Sequence, residues 1–152
     1  MNHENTNWQQ SVAGVCMKDH KVLLARHTYG GGKGKLIIPG GYLNMGETPQ
    51  DGLRREFLEE TGITVEPAAL LGIRFNAKDW YVVFSAQYIS GDPTSDNNEN
   101  SEVIWLDADE ALTREDVPQL TKIMIAKALQ GGGFEDTSYT GSNPPHSLYC
   151  EP

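Results

Sequence analysis

The sequence has few cysteines, few basic residues and no long hydrophobic run. It holds 2 cysteines in 152 residues, too few for a disulfide framework. We therefore expect Cys16, in an apolar stretch, and Cys150, near the end, to be free thiols in a reducing compartment. No stretch approaches the roughly 18 apolar residues of a membrane span, and the polar start has no apolar core of a signal peptide. These absences predict a cytoplasmic protein with no membrane partner.

Positive charge is scarce. Lys and Arg total 12 against 21 Asp and Glu, which gives a net charge of −9 and a pI near 4.8. Duplex nucleic acid requires a basic stripe that displaces counterions, so this class of ligand is excluded. A polyanionic ligand would need to arrive with a metal ion or to meet a local cluster of basic side chains. Candidates for such a cluster are Arg26, His27, Lys33 and Lys35.

The length and composition predict one folded domain with a tail. Apolar residues make up 38% of the chain, enough for one core. We place the domain at residues 1–130 and a tail rich in Gly, Ser and Pro at residues 131–152. The tail is either disordered or a strap across the domain or a partner, with the side chains Phe134, Tyr139, His146 and Tyr149 available for contacts.

One helix is bounded by its own chemistry. Thr48 is a good N-cap, Pro49 fits the first helical position, and Asp51 stands in the capping-box position. Gly62 can adopt the left-handed conformation that ends a helix. The sequence therefore predicts a helix over Pro49–Thr61.

This helix carries three carboxylates on one face. Glu56, Glu59 and Glu60 are related by spacings of three and four residues, which brings their side chains together. A solvated acidic face is the ordinary interpretation of such a cluster. Here a neighbouring apolar face and a glycine-rich turn before the helix favour a different interpretation of the three carboxylates. Crowded carboxylates beside such a turn suit a hard cation such as Mg²⁺ or Mn²⁺.

Residues 41–63, GYLNMGETPQDGLRREFLEETGI, resemble the sequence box of the Nudix hydrolases without a gap. The family pattern is G, five residues, E, seven residues, then R-E-U-x-E-E-x-G-U, where U is a bulky aliphatic residue. The chain departs from common family usage at Phe57, where an aliphatic residue is usual, and at Gly52, where Ala is common. Gly52 costs about 1 kcal/mol of helix propensity relative to Ala. We expect either that the packing of the whole domain absorbs this cost or that the glycine permits close approach of another backbone.

The resemblance implies a function and a set of site residues. In the family, the positions of Glu56, Glu59 and Glu60 hold divalent metal, often with a backbone carbonyl at the position of Gly40. The positions of Arg55 and Glu47 pair to orient the carboxylates. The implied reaction is hydrolysis of a nucleoside diphosphate linked to another group, by attack of metal-bound water on phosphorus.

Other roles stay open at this point. The general base is Glu59 or, since some family members use a later loop, Glu99 or Glu102. Candidate substrate contacts are Arg26, Tyr29, Lys35 and Tyr81. Residues 77–79 lack the proline typical of the ADP-ribose subgroup, whereas Tyr81 resembles the dinucleoside polyphosphate subgroup; triphosphates and nucleotide sugars are further candidates. A catalytically silent nucleotide-sensing or interaction module is the alternative class, but such modules typically lose box carboxylates, and this chain keeps them all.

The remaining segments predict an α/β protein. Strands are expected at residues 11–17, 21–26, 36–38, 70–75, 80–89 and 103–106, and helices at 107–112 and from Pro118 to a stop at Gly131. The inward stripe of the last helix is expected at Leu120, Ile123, Met124 and Ala128. This order fits the family's α/β/α sandwich, with a mixed β-sheet between helices. We expect the binding partner to be a small nucleotide substrate. Whether the protein also forms a homodimer stays open.

Overall fold

The fold is a mixed sheet between helices in a computed structural model that describes residues 9–152. The polar start, where we expect no signal peptide, lies largely outside the described residues. The strands are β1 (Gln9–Lys18), β2 (Lys21–His27), β3 (Leu36–Ile37), β4 (Gly40–Tyr42), β5 (Thr64–Phe75), β6 (Asp79–Ser90), β7 (Asn100–Asp107), β8 (Glu135–Asp136) and β9 (Tyr149–Cys150). The helices are α1 (Pro49–Thr61), α2 (Ala108–Ala111) and α3 (Gln119–Gln130). In the described part of the chain, no helix is long and apolar enough to cross a membrane.

The central sheet has seven strands, β1 to β7. Strand β1 runs parallel to β6, and the other pairings are antiparallel. The first half of β1 pairs with β4 and its end pairs with β2. Asp19 and His20 between β1 and β2 have φ of 53° and 60°, the left-handed values that a tight hairpin turn requires. After β3 and β4, the chain enters the turn that precedes α1.

Apolar side chains fill both faces of the sheet. On one face, Leu24 and Val83 pack with Met124 and Ile125 of α3. On the other face, Leu23 and Phe84 pack with Leu53 and Phe57 of α1. The α/β/α sandwich with a mixed sheet is confirmed.

Helix α3 differs in detail from its expected inward stripe. Met124 is buried, and Leu120 and Ala128 pack against the core as expected. Ile123, however, is 44% exposed, and Ile125 is fully buried in its place. The helix is therefore rotated relative to the predicted stripe, because its contact surface with the sheet is set by tertiary packing.

The tail after α3 is ordered as a strap. Its strands β8 and β9 form a two-stranded antiparallel sheet, and Phe134 bridges to Leu70 of β5. The ring of Tyr149 packs edge-on against Phe84, and its hydroxyl accepts a hydrogen bond of 3.2 Å from Gln50 at the start of α1. Of the two alternatives for the tail, the structure shows the strap, and it crosses this chain's own domain.

Both cysteines are free thiols, as expected. Cys16 is buried in the core and Cys150 is exposed in β9. Burial raises the pKa of the Cys16 thiol to about 12, so this group stays protonated at neutral pH.

Candidate active site

Helix α1 begins and ends at the predicted residues. The Thr48 hydroxyl accepts a hydrogen bond of 3.2 Å from the Asp51 N–H, and Gly62 adopts φ of 74°. Gly52 permits close packing, since a Cβ there would collide with the side chain of Leu43 in the preceding turn. The atoms that approach Gly52 belong to side chains, not to another backbone as expected.

Arg55 holds three carboxylates around itself. It donates to both oxygens of Glu47, with Nε to Oε2 at 2.7 Å and Nη2 to Oε1 at 2.9 Å. Its Nη1 donates to Glu56 Oε1 at 2.9 Å and to Glu59 Oε2 at 3.2 Å. The Arg55 guanidinium lowers the pKa of Glu47, and Glu47 raises that of Arg55. The pairing of Arg55 and Glu47 expected from the resemblance is present and orients the helix carboxylates.

Glu60 is buried at the end of α1. It is 4% exposed, and its Oε2 accepts a hydrogen bond of 3.1 Å from the backbone N–H of Gly40. Burial raises the pKa of Glu60 to about 8, and the negative charges of Glu56, Glu99 and Asp96 add to the shift. The contact between Gly40 and this carboxylate runs through the N–H group, whereas the family resemblance implied a carbonyl ligand.

Gly41 makes room for the carboxylate of Glu56. A Cβ at this glycine would lie 2.6 Å from the carboxyl carbon of Glu56. Burial raises the pKa of Glu56, and the charge of Glu59 acts in the same direction while Arg55 opposes it. The Glu56 carboxylate therefore occupies space that any side chain larger than that of Gly41 would fill.

The chemistry of this donor set fits a divalent metal. Burial disfavours the ionised forms of Glu56 and Glu60, and the negative charges of neighbouring carboxylates add to this at both residues. A cation would relieve both effects. In the described part of the chain, the oxygens of Glu56, Glu59 and Glu60 do not all lie within 4.8 Å of one another. Arg55 Nη1 lies between two of them, and Gly40 binds the third.

A second group of metal-ligand side chains lies outside this site. Ligand atoms of His20, Asp107 and Asp109 lie within 4.8 Å of one another, and all three residues are exposed. His20 Nε2 and Asp109 Oδ2 are 3.1 Å apart. Exposed acidic clusters of this kind are common on proteins without any ion.

One of the helix carboxylates, Glu56, lines a cavity of about 590 Å³. Glu56 lines it from the helix, Gly40 and Gly41 from the turn, and Glu99 from the loop before β7. The other described lining residues are Ser11, His27, Tyr29, Gly32, Ile37, Ile38, Tyr42, Arg74, Asp79 and Tyr81. The site therefore combines an acidic end with an aromatic wall.

Glu99 and Glu102, the two candidates for the general base outside α1, lie in different surroundings. Glu99 lines the cavity, and its carbonyl accepts a hydrogen bond of 3.1 Å from the Thr28 N–H. Glu102 is not among the described lining residues and instead pairs with Arg26 Nε at 2.9 Å. Of these two candidates, the geometry therefore favours Glu99, and Glu102 stays an untested prediction.

Two of the four predicted substrate contacts lie in the cavity wall. Tyr29 and Tyr81 line it, and burial raises the pKa of each hydroxyl. The Arg26 guanidinium donates instead to Glu102, to Asp116 and to the Gly34 carbonyl, outside the described cavity lining. Lys35 is exposed and also lies outside the described cavity lining.

Sequence reasoning missed several residues of the site. Ser11, Tyr42, Arg74 and Asp79 come from four different strands or strand ends, and no local pattern marks them. Asn100 was also missed; it is 1% exposed and donates from Nδ2 to the Glu60 carbonyl at 2.9 Å. A buried asparagine between a polar loop and a strand carries no signal in the sequence.

Comparison with known proteins decides the family. Residues 8–127 match the family model of the NUDIX domain. The chain belongs to the NUDIX family. It is 36% identical over 135 residues to a MutT-like protein from Streptomyces ambofaciens, covering 88% of this chain and 84% of that protein.

Other relatives agree with this membership of the Nudix hydrolases. The chain is 38% identical over 63 residues to an ADP-ribose pyrophosphatase from Methanocaldococcus jannaschii, which is 41% of this chain and 37% of that protein. Among solved structures, a NUDIX hydrolase from Nitrosomonas europaea superposes with a TM-score of 0.71 at 29% identity, covering 81% of this chain and 89% of that one. The Nudix chain is thus an enzyme of the hydrolase class, with relatives named as pyrophosphatases and hydrolases.

Proposed function

We propose that this Nudix enzyme hydrolyses the pyrophosphate bond of a nucleoside diphosphate linked to another group and that it requires Mg²⁺, with Mn²⁺ as a substitute. The observation that carries the proposal is the arrangement at α1. Arg55 fixes Glu47, Glu56 and Glu59, and Glu60 is buried against Gly40. Glu56 of this group lines a cavity whose volume lies within the range of small-molecule sites.

The metal would be held by Glu56, Glu59 and Glu60. When bound, it supplies charge neutralisation on the diphosphate and activation of water. Arg55 and Glu47 keep the carboxylates in position through their paired hydrogen bonds. The positions of these side chains depend on a capped helix, which is more rigid than a loop.

We propose that the general base is either Glu59 or Glu99. Glu59 is the more solvent-accessible of the helix carboxylates, with 59% of its side chain exposed. Glu99 lines the cavity from the loop before β7, which is held by hydrogen bonds to Thr28. Either carboxylate would take the proton of the attacking water at a side-chain oxygen.

The substrate is a small nucleotide. The cavity wall presents Tyr29, Tyr42 and Tyr81, whose rings can stack on a base. The relatives named ADP-ribose pyrophosphatase, and NAD-capped RNA hydrolase NudC from Haemophilus influenzae, support cleavage at a pyrophosphate linkage.

A substrate panel tests the proposal. Purified protein is incubated with nucleoside triphosphates, dinucleoside polyphosphates, ADP-ribose and nucleotide sugars, with Mg²⁺, with Mn²⁺ and with EDTA, and the products are identified. We expect cleavage of at least one class that depends on the metal. Inactivity against the whole panel would favour the silent sensing module instead.

A further inference from the structure

The strap after α3 runs around one edge of the sheet. Strand β5 is the last strand on this side, and the backbones of Leu70 and Phe134 exchange two hydrogen bonds of 2.8 and 3.0 Å there. Gly133, with φ of 107°, lets the strap come this close, because a Cβ on it would lie 2.8 Å from the Leu70 carbonyl oxygen. The strap therefore leaves α3 on one face of the sheet and is bound at the sheet edge.

The end of the strap lies on the other face, beside α1. Pairing with β8 holds β9 in place. Tyr149 of β9 is half-buried and packs against the core cluster that contains Leu53 and Phe57 of α1. Its ring meets Phe84 edge-on, with the two centroids 5.5 Å apart. The position of Tyr149 is therefore set by the core that also receives the helix.

Gln50 joins the strap to the first turn of α1. Its Nε2 donates to the Tyr149 hydroxyl at 3.2 Å and to the Ser147 hydroxyl at 2.8 Å. Gln50 is the second residue of the helix, directly after Pro49. Both acceptors belong to the strap, so the strap binds the start of α1 at two points.

The start of α1 also sets the geometry of the acidic site. Glu47 precedes the helix, and Arg55, 8 residues later, donates to both of its carboxylate oxygens. Gln50 lies between these two residues in the chain. Helix ends fray, and fraying of the first turn would change the separation of Glu47 and Arg55. It would also change the direction in which Arg55 holds Glu56.

We propose that Tyr149 and Gln50 are positioning residues for the metal site on α1. Their contact holds the first turn of the helix and keeps Glu47 and Arg55 in the geometry that orients the carboxylates. Neither Tyr149 nor Gln50 is among the described cavity-lining residues, so each acts through the helix. The assignment rests on the function proposed above, because the metal is assigned to α1.

The competing explanation is that the strap only adds to the global stability of the fold. Leu53 and Phe57 are fully buried, and Arg54 pairs with Glu66 of β5 at 2.6 Å, so the middle of α1 is held to the sheet without the strap. Local hydrogen exchange separates the two explanations. A loss of global stability raises exchange in α1 and α3 alike, whereas release of the first turn raises it in α1.

The experiment compares the full chain with Tyr149→Ala, Gln50→Ala and a matched control. The control is Phe134→Ala, which removes an aromatic side chain from the strap where it meets β5. Hydrogen exchange of peptides from α1 and α3 is followed by mass spectrometry, and Mn²⁺ binding is followed by the paramagnetic resonance signal of the free ion. Alanine has a higher helix propensity than glutamine, so faster exchange in Gln50→Ala would not come from propensity.

We expect Tyr149→Ala and Gln50→Ala to raise exchange in α1 more than in α3. We expect both to weaken Mn²⁺ binding about three- to tenfold, a size typical of mutations that act through packed side chains. Phe134→Ala should keep the wild-type Mn²⁺ affinity and should not raise exchange in α1 above that in α3.

Wild-type Mn²⁺ affinity in Tyr149→Ala and Gln50→Ala, or an equal rise in exchange in α1 and α3, would overturn the positioning role. Weakening of Mn²⁺ binding by Phe134→Ala to the same extent would overturn it too. Gln50→Ala decides even where Tyr149→Ala does not fold. A wild type that binds no Mn²⁺ would refute the metal site of the proposed function, and the exchange of α1 would still decide whether the strap holds the helix.

Discussion

The side-chain amide of Asn100 donates a hydrogen bond of 2.9 Å to the backbone carbonyl of Glu60. The same side chain accepts from the Ser95 hydroxyl at 2.6 Å, and the Asn100 N–H donates to Asp96 Oδ1 at 3.0 Å. One buried residue thus ties the end of α1 to the loop that carries Glu99. We infer that Asn100 is a positioning residue for both acidic parts of the site.

Asn100→Ala should lower both stability and turnover. It leaves the Glu60 carbonyl without its partner, and a buried unsatisfied polar group costs about 1–3 kcal/mol. We expect the free energy of unfolding in urea to fall by that amount and kcat to fall more than KM changes, because the carboxylates lose their relative position. Asn98→Ala, at an exposed site of the same loop, is the control. Equal behaviour of the two variants would rule out the positioning role.

Gly41→Ala should impair catalysis through Glu56. The added methyl group meets the Glu56 carboxyl carbon at 2.6 Å, so this carboxylate must move. Displaced supporting groups at metal sites typically cost 10–100-fold in activity or metal affinity, and we expect a loss of about that size in kcat/KM. Gly31→Ala is the matched control, because a Cβ at Gly31 meets no atom within 4 Å. Full activity of Gly41→Ala would contradict the assigned role of Glu56.

Asp116 should contribute stability that depends on pH. Its carboxylate accepts from Arg114 Nη2 at 2.8 Å and from Arg26 Nη1 at 3.1 Å, and these guanidinium groups hold its pKa well below the usual range. A depressed folded-state pKa gives stability that is present above the unfolded value of about 4 and is lost as the pH falls below it.

The stability difference between wild type and Asp116→Asn should therefore be largest near neutral pH and narrow as the pH is lowered below about 4. Urea unfolding midpoints at pH 7 and pH 3 measure this. Asp136→Asn, on the exposed strand β8, is the reference variant, because we assign none of this pH-dependent stability to Asp136. A difference that stays constant between the two pH values would show that the ion pairs are not its source.

The parts of the site that the sequence predicts are those set by local chemistry. The helix from Pro49 to Thr61 follows from a cap at Thr48 and a left-handed stop at Gly62, both within a few residues. Glu56, Glu59 and Glu60 share a face because helix geometry places them there. The pairing of Arg55 with Glu47 spans 8 residues and is implied by the family resemblance.

The parts that escape prediction depend on distant pairings. Ser11 meets Asp79 across 68 residues, and Asn100 meets Glu60 across 40, so each contact exists only once the sheet is assembled. Arg26 shows how a distant partner changes the interpretation of a charged residue. Its charge suggested a substrate contact, but Asp116, 90 residues later in the chain, neutralises it. Contacts between residues this far apart in the sequence depend on the register of the strands and on where the loops bring the chain back to the sheet.

The central claim is that the carboxylates of α1 hold a divalent metal that hydrolysis requires. The most direct test titrates Mn²⁺ into the wild type, Glu56→Gln and Glu60→Gln, and measures binding together with hydrolysis of the substrate found in the panel. Glutamine keeps the shape of each side chain, and at position 60 its carbonyl can still accept from Gly40. Glu110→Gln, on α2 at a surface site, is the control.

The account predicts that both site variants bind Mn²⁺ at least about tenfold more weakly than the wild type and lose metal-dependent hydrolysis, while Glu110→Gln retains both. Wild-type Mn²⁺ affinity and hydrolysis in Glu56→Gln and Glu60→Gln would contradict it.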